Sequence, residues 1–534
     1  MAKILLTSVF RPFGIENKYN KKGDELLLDY LLARLTREPG PFALSSYVPS
    51  CGIHLIAANV GEEVKVLDWP SEDEFIAEIK KGYDYVGISF LIKGFRKVSR
   101  MIALIRKYAP QAKIVLGGFG TSLYEVNELG ADYVCRGEGV SFFRSLLNKP
   151  ANESVTHPVI TTSMNLSAFR HYPFLRPWSH RIGLITNGFG CPNACEFCST
   201  SSYYGHTHIP FLPSGRALYE TMREFNRENG VTDFLLFEED FCLYQDHVRE
   251  FGLLNSRDLE HMFTFGCFSS VKSLSQYDLE ELVSFGLGHV WIGVESSYAP
   301  FEKREGRPIQ EIFAELHAMG VATTGSIIFG LDHHTPANLT EDLNFLASLY
   351  PSTVQISNLM AAEGTPLRDR LQKEGRIKKV GFKEADLFSE IIYHPQFSEN
   401  ELPERVFQAY NTIYESIGPT LLRLMVTWFD GYKNLKKNSS AKLRKRGEIC
   451  GRQARGLVPF FLETGQFLPN DDIRYRVKDL LPEIISELGE VTSKEAAFSR
   501  LIRDVFKVEV ERNLVIPEDP LEPEPMVTEY SGKG

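Results

Sequence analysis

The 534-residue chain lacks long apolar runs, and none of its segments approaches the roughly 20 apolar residues that cross a bilayer. Its apolar start, residues 1–6, is too short for a signal peptide and is soon followed by Arg11. A surplus of positive charge is also absent, because the formal net charge is −10, unlike that of a general nucleic-acid binder. These absences predict a cytoplasmic protein with no nucleic-acid partner.

Cysteine is scarce outside one short segment. Cys191, Cys195 and Cys198 stand at Cys-x3-Cys-x2-Cys spacing just after the apolar run of residues 182–185. The other five cysteines are scattered and form no second motif: Cys51, Cys135, Cys242, Cys267 and Cys450. This usage predicts a reducing compartment.

The tight spacing of the three cysteines lets one loop surround an inorganic centre with three thiolates. A four-iron cluster needs a ligand on each iron, so three cysteines leave one iron open to a small molecule. Zinc is the alternative, held by the three cysteines and either His206 or His208 in a closed tetrahedral site. The loop follows a strand-like run and begins a long alternating α/β region, which favours the iron cluster.

Length and composition allow about three domains, because 43% of the residues are hydrophobic and 24% are charged. Residues 1–150 alternate strand-like and helix-like stretches, which indicates a doubly wound parallel sheet. Ligands of such sheets bind beyond the carboxyl ends of the strands. Four candidate ligand-binding residues stand at those ends: Ser89, Gly117, Gly118 and Glu138.

The rest of the chain is predicted to contain a barrel and a helical region. Six strand–helix repeats in residues 181–384 indicate a partial (β/α)6 barrel, with the cluster loop at the carboxyl end of its first strand. Residues 151–180 are predicted to be a linker because they contain three helix-breaking prolines. Helical patterns follow in residues 385–515, and residues 516–534 form an acidic, proline-rich tail that is predicted to be disordered.

The cluster loop, with the aromatic Phe197 just before its last cysteine, resembles the radical S-adenosylmethionine superfamily. The resemblance implies a 4Fe-4S cluster on Cys191, Cys195 and Cys198, whose open iron holds the amino and carboxylate groups of S-adenosylmethionine. It also implies that acidic and small residues after successive strands contact the methionine and ribose: Glu239, Asp240, Glu295 and Ser326. Lys303 and Arg304 either pair with the carboxylate of S-adenosylmethionine or are solvated.

The first 150 residues resemble the cobalamin-binding domain that precedes many radical enzymes. Residues 84–89, 116–118 and 136–139 match its motifs and their order. Glycines at these turns would let the backbone approach a flat macrocycle. The histidine that ligates cobalt in cobalamin mutases has no counterpart, since His54 is the only histidine here and is expected to be structural. A vestigial domain that binds nothing is the alternative.

In this family the reduced cluster passes an electron to S-adenosylmethionine, and a 5′-deoxyadenosyl radical abstracts hydrogen from an unactivated carbon. The cobalamin subgroup usually transfers a methyl group, so the resemblance implies C-methylation of a lipid or natural product, with a flavodoxin- or ferredoxin-type electron donor. Two alternatives stay open. One is a cobalamin-independent radical enzyme that closes rings or forms carbon–carbon or carbon–sulfur bonds, and the other is a cobalamin or redox sensor without turnover.

Two further segments stand out. Residues 433–455 contain nine basic residues and a single acid, Glu448. This stretch is either a solvated helix face or a contact for an anionic partner, such as a phosphate-bearing substrate or the membrane surface. The second segment, Asp332-His333-His334, suggests a metal site. The Thr335-Pro336 pair that follows is typical of an N-cap and a first helical turn, so lining the substrate pocket is the favoured interpretation.

Overall fold

The structure is a computed structural model that describes residues 2–11, 38–169, 172, 174–175, 180–298, 301–379, 387–515 and 525–531. Its strands are, in chain order, β1 Lys3–Thr7, β2 Leu44–Ser46, β3 Glu63–Asp68, β4 Tyr85–Ser89, β5 Lys113–Gly117, β6 Tyr133–Val134, β7 Thr161–Leu166, β8 His180–Thr186, β9 Gly188–Phe189, β10 Ile209–Pro210, β11 Asp233–Phe237, β12 Thr264–Ser269, β13 Leu287–Glu295, β14 Ala322–Phe329, β15 Thr353–Asn358 and β16 Met526–Tyr530.

The α-helices lie between these strands and in the last third of the chain. They are Cys51–Asn59, Glu72–Ile79, Phe95–Tyr108, Gly139–Leu146, Ser199–Tyr203, Gly215–Asn229, Gln245–Asn255, Val271–Leu274, Leu279–Ser284, Ile309–Ala318, Pro336–Ser348, Pro366–Lys373, Glu401–Ile417, Thr420–Leu435, Ala441–Leu457, Asp471–Leu488 and Ser493–Val515. No helix in the described ranges is long and apolar enough to cross a membrane.

The first sheet has the strand order β16-β3-β1-β4-β5-β6. Strands β1 and β3 to β6 are parallel. Their apolar side chains belong to two separate clusters, one on each face of the sheet. Sheets buried on both faces favour short, continuous apolar strands, as in Ile4–Leu5–Leu6 of β1. The predicted doubly wound parallel sheet is confirmed.

The tail prediction is wrong for β16, which pairs antiparallel with β3 at the edge of the first sheet. Tyr530 Oη lies 2.8 Å from His54 Nδ1, and His54 Nε2 lies 3.0 Å from Asp68 Oδ2. The five residues MVTEY alternate half-buried and exposed positions, a strand pattern too short to stand out beside the acidic, proline-rich stretch. Residues 516–524 lie outside the described ranges. His54 is structural, as expected.

The second sheet has the order β15-β14-β13-β12-β11-β8-β7-β2, and its strands β8 and β11 to β15 are parallel. Helices cover its outer face, where the largest apolar cluster of the described residues lies. These six parallel strands are the partial barrel that the sequence predicts. Their carboxyl ends meet at one rim, which positions the cluster loop.

The linker prediction for residues 151–180 is wrong at β7, which pairs antiparallel with β8 and extends the barrel sheet. Strand β2 pairs with β7 in turn, so residues just before the first helix of the N-terminal region also join the barrel sheet. Thr162 anchors this pairing through a 2.8 Å contact between its Oγ1 and Ser46 Oγ. Prolines flank β7 without interrupting it, which leaves its ladder intact. The predicted boundary at 384/385 falls on residues 380–386, outside the described ranges.

The basic stretch 433–455 lies on the two helices Thr420–Leu435 and Ala441–Leu457 and the turn between them. Acidic residues of later helices pair with it: Lys433 with Glu483, Lys436 with Glu487, and Arg455 with Glu495. Arg446 is 1% exposed and donates to the carbonyl oxygen of Gly320 at the base of the barrel. Much of the charge is therefore compensated by residues that are distant in sequence.

Candidate active site at the rim of the barrel

The cluster loop leaves β8 and is framed by the short hairpin of β9 and β10. Gly190 has φ +82°, and a Cβ there would lie 2.1 Å from the carbonyl oxygen of Thr207, so this turn requires glycine. Cys198 is the N-cap of the helix Ser199–Tyr203, and the Ser201 hydroxyl donates to the carbonyl oxygen of Cys191 over 2.6 Å. The backbone thus fixes both ends of the three-cysteine loop.

The three thiols are unpaired, with Cys191 buried and Cys195 and Cys198 half-buried. Their sulfur atoms do not all lie within 4.8 Å of one another, whereas a zinc tetrahedron has sulfur–sulfur edges of about 3.8 Å. Burial raises the pKa of the Cys191 thiol to about 12, so forming the thiolate in the protein alone is unfavourable. A coordinated iron would stabilise the thiolate, because metals bind thiols in that form. The donor set and its spacing suit a three-cysteine iron–sulfur cluster.

The two histidines of the zinc alternative are engaged elsewhere. His206 Nδ1 lies 3.1 Å from the Ser201 hydroxyl, and His208 Nε2 lies 2.6 Å from Glu238 Oε1. The His208 ring also stacks on Tyr244, with ring centroids 4.3 Å apart. Neither histidine forms, with two of the cysteines, a group whose ligand atoms all lie within 4.8 Å of one another, so a fourth zinc ligand is not preformed.

Asp240 is buried at the barrel rim and joins the cluster loop to the next strand. Its Oδ1 accepts from the Ser269 hydroxyl and the Ser270 backbone N–H, at 3.0 and 3.1 Å. Its Oδ2 accepts from the Ser273 hydroxyl at 2.8 Å and from Asn193 Nδ2 at 3.2 Å. Both oxygens are occupied by four protein donors, so Asp240 positions the loop through Asn193, which lies between the first two cysteines.

Glu239, its neighbour, differs in that its Oε2 is buried without a hydrogen-bond partner. Burial and the negative charge of Glu238 raise the pKa of the Glu239 carboxyl above its usual range. Further unpartnered buried atoms occur close by along the chain, namely Asn187 Oδ1 and His247 Nε2. Buried polar groups are normally paired, so these atoms indicate room for a polar ligand at this rim.

Glu295 ends β13 with φ +60°, a strained backbone conformation for a residue other than glycine. It is buried and forms an ion pair with Lys303, whose Nζ lies 5.2 Å from the ring centroid of Phe197. Burial opposes the charge of Lys303, but Glu295 and Cys195 outweigh it and raise the pKa of this lysine. Glu295 and Lys303 thus lie beside Phe197 and Cys195 of the cluster loop.

Arg304 and Ser326 occupy neighbouring positions with few contacts. Arg304 donates to the carbonyl oxygen of Ser296. Ser326 lies on β14 as the register partner of Gly293, with its hydroxyl 3.5 Å from the carbonyl oxygen of Ile292. The Ser326 hydroxyl therefore has only one long hydrogen bond.

His333, His334 and Asp342 place ligand atoms within 4.8 Å of one another, but their hydrogen bonds oppose metal binding. His334 Nδ1 accepts from the backbone N–H groups of Gly330 and Leu331, and its Nε2 faces Asp342 Oδ2 at 3.1 Å. Neither nitrogen has a lone pair to offer. Thr335 is the N-cap of the following helix, with Pro336 in its first turn, which the sequence pattern predicted.

The carboxyl end of the first sheet faces the barrel rim across a cavity of about 180 Å³. Its lining includes Phe119 and Ser122 from the first sheet, and Ser199, Tyr203 and Met360 from the barrel side. Two of the predicted cofactor-binding positions differ in their surroundings there. A Cβ at Gly117 would meet no atom within 4 Å, whereas one at Gly118 would lie 2.7 Å from the carbonyl oxygen of Phe90.

The remaining two predicted residues of the first sheet lie at the same edge. Ser89 ends β4 and is half-buried, and its Oγ lies 3.1 Å from the position of a Cβ on Gly118. Glu138 caps the helix Gly139–Leu146, where it accepts from the backbone N–H groups of Val140 and Ser141. The Glu138 carboxylate is therefore engaged by the protein, and a cofactor role for it stays a prediction.

Tyr203, which no sequence motif predicted, connects the barrel rim to the carboxyl end of the first sheet. Its hydroxyl lies 2.8 Å from Thr121 Oγ1 and 3.3 Å from the carbonyl oxygen of Gly118. Its ring packs on Phe119 with centroids 5.0 Å apart. Tyr203 stands five residues after Cys198, and only that proximity could have drawn attention to it.

The comparisons with known proteins agree with this architecture. Residues 43–147 match the family of B12-binding domains. We call this first domain the B12-binding domain after the family that it matches. Over 85% of its length the chain has the fold of the radical S-adenosylmethionine methyltransferase TsrM from Kitasatospora setae, with a TM-score of 0.53 and 14% identity, and the match covers 99% of TsrM.

Two curated relatives are similar in sequence. The hopanoid C-2 methylase of Rhodopseudomonas palustris is 25% identical over 289 residues, which are 49% of this chain and 53% of the methylase. The chain thus matches about half the length of that relative. An uncharacterized methyltransferase of Pyrococcus horikoshii is 21% identical over 406 residues, 68% of this chain and 88% of that protein. The chain thus has a TsrM-like fold, a first domain that matches the B12-binding family, and sequence similarity to a hopanoid methylase and a methyltransferase.

Proposed function

We propose that the protein is a radical S-adenosylmethionine methyltransferase that methylates an unactivated carbon of a lipid or natural product. The observation that carries the proposal is the meeting of three features at one rim. The three-cysteine loop and Glu239, whose buried Oε2 has no hydrogen-bond partner, lie at the barrel rim, and Ser199 and Tyr203, just after the loop, line the cavity toward the B12-binding domain. The solved structures of TsrM contain cobalamin and a [4Fe-4S] cluster or a S-adenosylmethionine analogue, which supports the same cofactors here.

Each cofactor has candidate ligands in this chain. Cys191, Cys195 and Cys198 would hold the cluster, Glu239 would accept hydrogen bonds from the amino group of S-adenosylmethionine, and Ser89 and Gly117 would lie against cobalamin. When bound, the cluster and S-adenosylmethionine supply one-electron activation of a carbon–hydrogen bond, and cobalamin supplies the methyl group. Asp240 and Glu295 have protein partners, so we assign them to positioning the loop and Lys303 rather than to direct contact.

The protein groups orient the reactants and exclude water. Asn193, held by Asp240, fixes the segment between the first two thiols, and Lys303 places a positive charge beside Cys195. That charge would stabilise an anionic cluster in a partly buried site. Tyr203 contacts Thr121 and Phe119 of the B12-binding domain beside the cavity, and this contact would help to exclude water from the bound cofactors.

The partners and the location are also proposals. An electron donor of flavodoxin or ferredoxin type would reduce the cluster, and cysteine usage fits the cytoplasm. A peripheral membrane contact through residues 433–455 would fit a lipid substrate. It is supported only by basic residues such as Lys437 and Arg452, because several others are paired internally. Binding to anionic liposomes that is lost in 0.5 M salt would support this contact, and no binding at low salt would exclude it.

Anaerobic reconstitution with iron, sulfide and hydroxocobalamin tests the function. We expect about four irons and one corrinoid per chain, visible as distinct absorption bands, and reductive cleavage of S-adenosylmethionine by the reduced protein. Changing Cys195 to alanine should abolish cleavage and cluster absorption.

The matched control is Cys51→Ala, which removes a half-buried thiol outside the cluster loop and should leave the cluster intact. Wild-type protein that binds about one zinc and no iron would contradict the proposal. Retention of the cluster without any corrinoid would instead favour the cobalamin-independent radical enzyme. Tight corrinoid binding with no cleavage of S-adenosylmethionine would favour the sensor.

A further inference from the structure

Residues of the barrel strands alternate between two environments. Phe265 and Cys267 of β12, and Val290 and Ile292 of β13, belong to the apolar cluster between the sheet and the outer helices. Successive side chains of a strand point to opposite faces, so the residues between them point to the concave face of the barrel. In closed eight-stranded barrels this face is filled with layers of side chains, and ligands bind at the carboxyl ends of the strands.

Three aromatic residues from consecutive strands form a row on this concave face. Phe268 and Trp291 are register partners, and continuing the register of β11 and β12 places Phe237 beside Phe268. The rings are stacked, with centroids 6.5 Å apart for Phe237 and Phe268 and 5.1 Å apart for Phe268 and Trp291. We call Phe237, Phe268 and Trp291 the aromatic row.

The aromatic row is not part of the protein core. All three side chains are only half-buried, and none of them belongs to an apolar cluster formed by the described residues. Aromatic rings of this size normally bury most of their surface in the core. The exposed part of each ring therefore faces the inside of the barrel and is available to a ligand.

On the two strands that follow β13, the residues in register with Trp291 are uncharged. Thr324 is the register partner of Trp291, and Thr353 is the register partner of Thr324. His289 lies one step deeper, with its Nε2 2.8 Å from Thr324 Oγ1, and burial lowers the pKa of His289 to about 4. This histidine is thus neutral near pH 7. A charged group placed here would lose its hydration without gaining a charged partner.

Glu239 is two residues beyond Phe237 and lies toward the strand ends, just outside the level of the aromatic row. Resting on the proposed function, we infer that the aromatic row is the substrate-binding wall and that it accepts an uncharged, flat ring system lying deeper than the S-adenosylmethionine held at the rim. Stacked rings present a flat apolar surface, and a flat ring matches it with more contact area than a flexible chain. The row thus determines which substrates the enzyme accepts.

The test measures binding of three probes of similar size to the reconstituted protein by equilibrium dialysis. The probes are 2-naphthol, the anionic 2-naphthoate and the flexible 1-octanol. We expect 2-naphthol to bind about tenfold more tightly than either of the others. Trp291→Leu and, independently, Phe268→Leu should remove about tenfold of that affinity while iron content and cluster absorption stay unchanged.

The matched control is Trp428→Leu, which removes a half-buried tryptophan of the C-terminal helical region and should leave 2-naphthol binding unchanged. Equal affinity for naphthol and naphthoate, or unchanged binding in both variants, would overturn the inference. Complete displacement of naphthol by S-adenosylmethionine would also overturn it, because the row would then hold the adenine. Failure of S-adenosylmethionine cleavage with intact naphthol preference would count against the proposed function alone.

Discussion

The polar side chains at the carboxyl ends of the two sheets differ in their hydrogen bonding. At the edge of the B12-binding domain, Glu138 caps a helix and Thr121 is hydrogen-bonded on several sides. At the barrel rim, Asn187, Glu239 and His247 each bury a polar atom without a partner. The first edge also has unpartnered buried atoms, on Arg11, Asp68 and Glu125, but Glu138 and Thr121 are paired within the protein, which suits a large ligand held by shape and backbone contact. The other is incomplete and suits a charged ligand that supplies the missing hydrogen bonds.

The strongest test of this difference is Glu239→Gln. We expect it to weaken S-adenosylmethionine binding by about 2–3 kcal/mol, roughly 30- to 150-fold, because a charge-assisted hydrogen bond is lost.

Without ligand, the same change should raise Tm. The folded-state pKa of Glu239 is raised, so its ionised form destabilises the ligand-free fold at neutral pH, and that cost disappears as pH falls through the raised pKa. Calorimetric titration and thermal unfolding at pH 5 and pH 7.5 measure both effects. A fall in Tm for the ligand-free variant would contradict this account.

Asp240→Asn should behave in the opposite way. Two serine hydroxyls, a backbone N–H and Asn193 would lose a charged acceptor, so we expect destabilisation of about 2–4 kcal/mol with or without ligand. The loosened Asn193 segment should also release iron faster under a chelator. Denaturant unfolding and timed iron loss check this, with Asp246→Asn, on an outer helix, as the matched control. If Asp240→Asn is as stable as the wild type, the proposed difference between Glu239 and Asp240 is wrong.

Tyr203→Phe probes the contact between the two edges with a smaller expected effect. The change removes a hydroxyl that contacts Thr121 and two backbone carbonyl groups, which is worth about 1 kcal/mol. We expect a slightly lower Tm and faster loss of bound corrinoid on gel filtration, with iron content preserved. The neighbouring Tyr204→Phe is the control. Equal corrinoid loss in both variants would show that the Tyr203 hydroxyl has no specific role.

The smallest effect is expected from Tyr530→Phe, which lies on β16, the side edge of the first sheet. It removes the 2.8 Å contact with His54 and should cost about 0.5–1.5 kcal/mol without altering cluster or corrinoid content. Chemical denaturation measures the loss. Altered corrinoid binding in this variant would mean that strand β16 influences the carboxyl end of the first sheet. That result would contradict the description of this end as independent of β16.

The elements with strong local signals were predictable, and those defined by distant partners were not. Six barrel strands and the three-cysteine loop follow from apolar runs and exact spacing, whereas the cofactor role of Glu239 was implied by the family resemblance and stays a prediction. The sequence could not distinguish Glu239 from Asp240, because the four donors that saturate Asp240 come from other segments. Strand β16 was missed for the same reason, since its pairing with β3 joins residues more than 450 positions apart.

Strand β16 also brings the two ends of the described chain together. It runs antiparallel to β3, which runs parallel to β1, so Tyr530 and Lys3 lie at the same end of the sheet with one strand between them. Neighbouring strands are about 4.8 Å apart, which puts these positions roughly 10 Å from each other across the sheet. A short peptide link could therefore join them, and a circularly permuted gene could open the chain elsewhere, for instance in a surface turn of the C-terminal helices. A fusion partner attached after β16, by contrast, would lie next to β16, the edge strand of the first sheet.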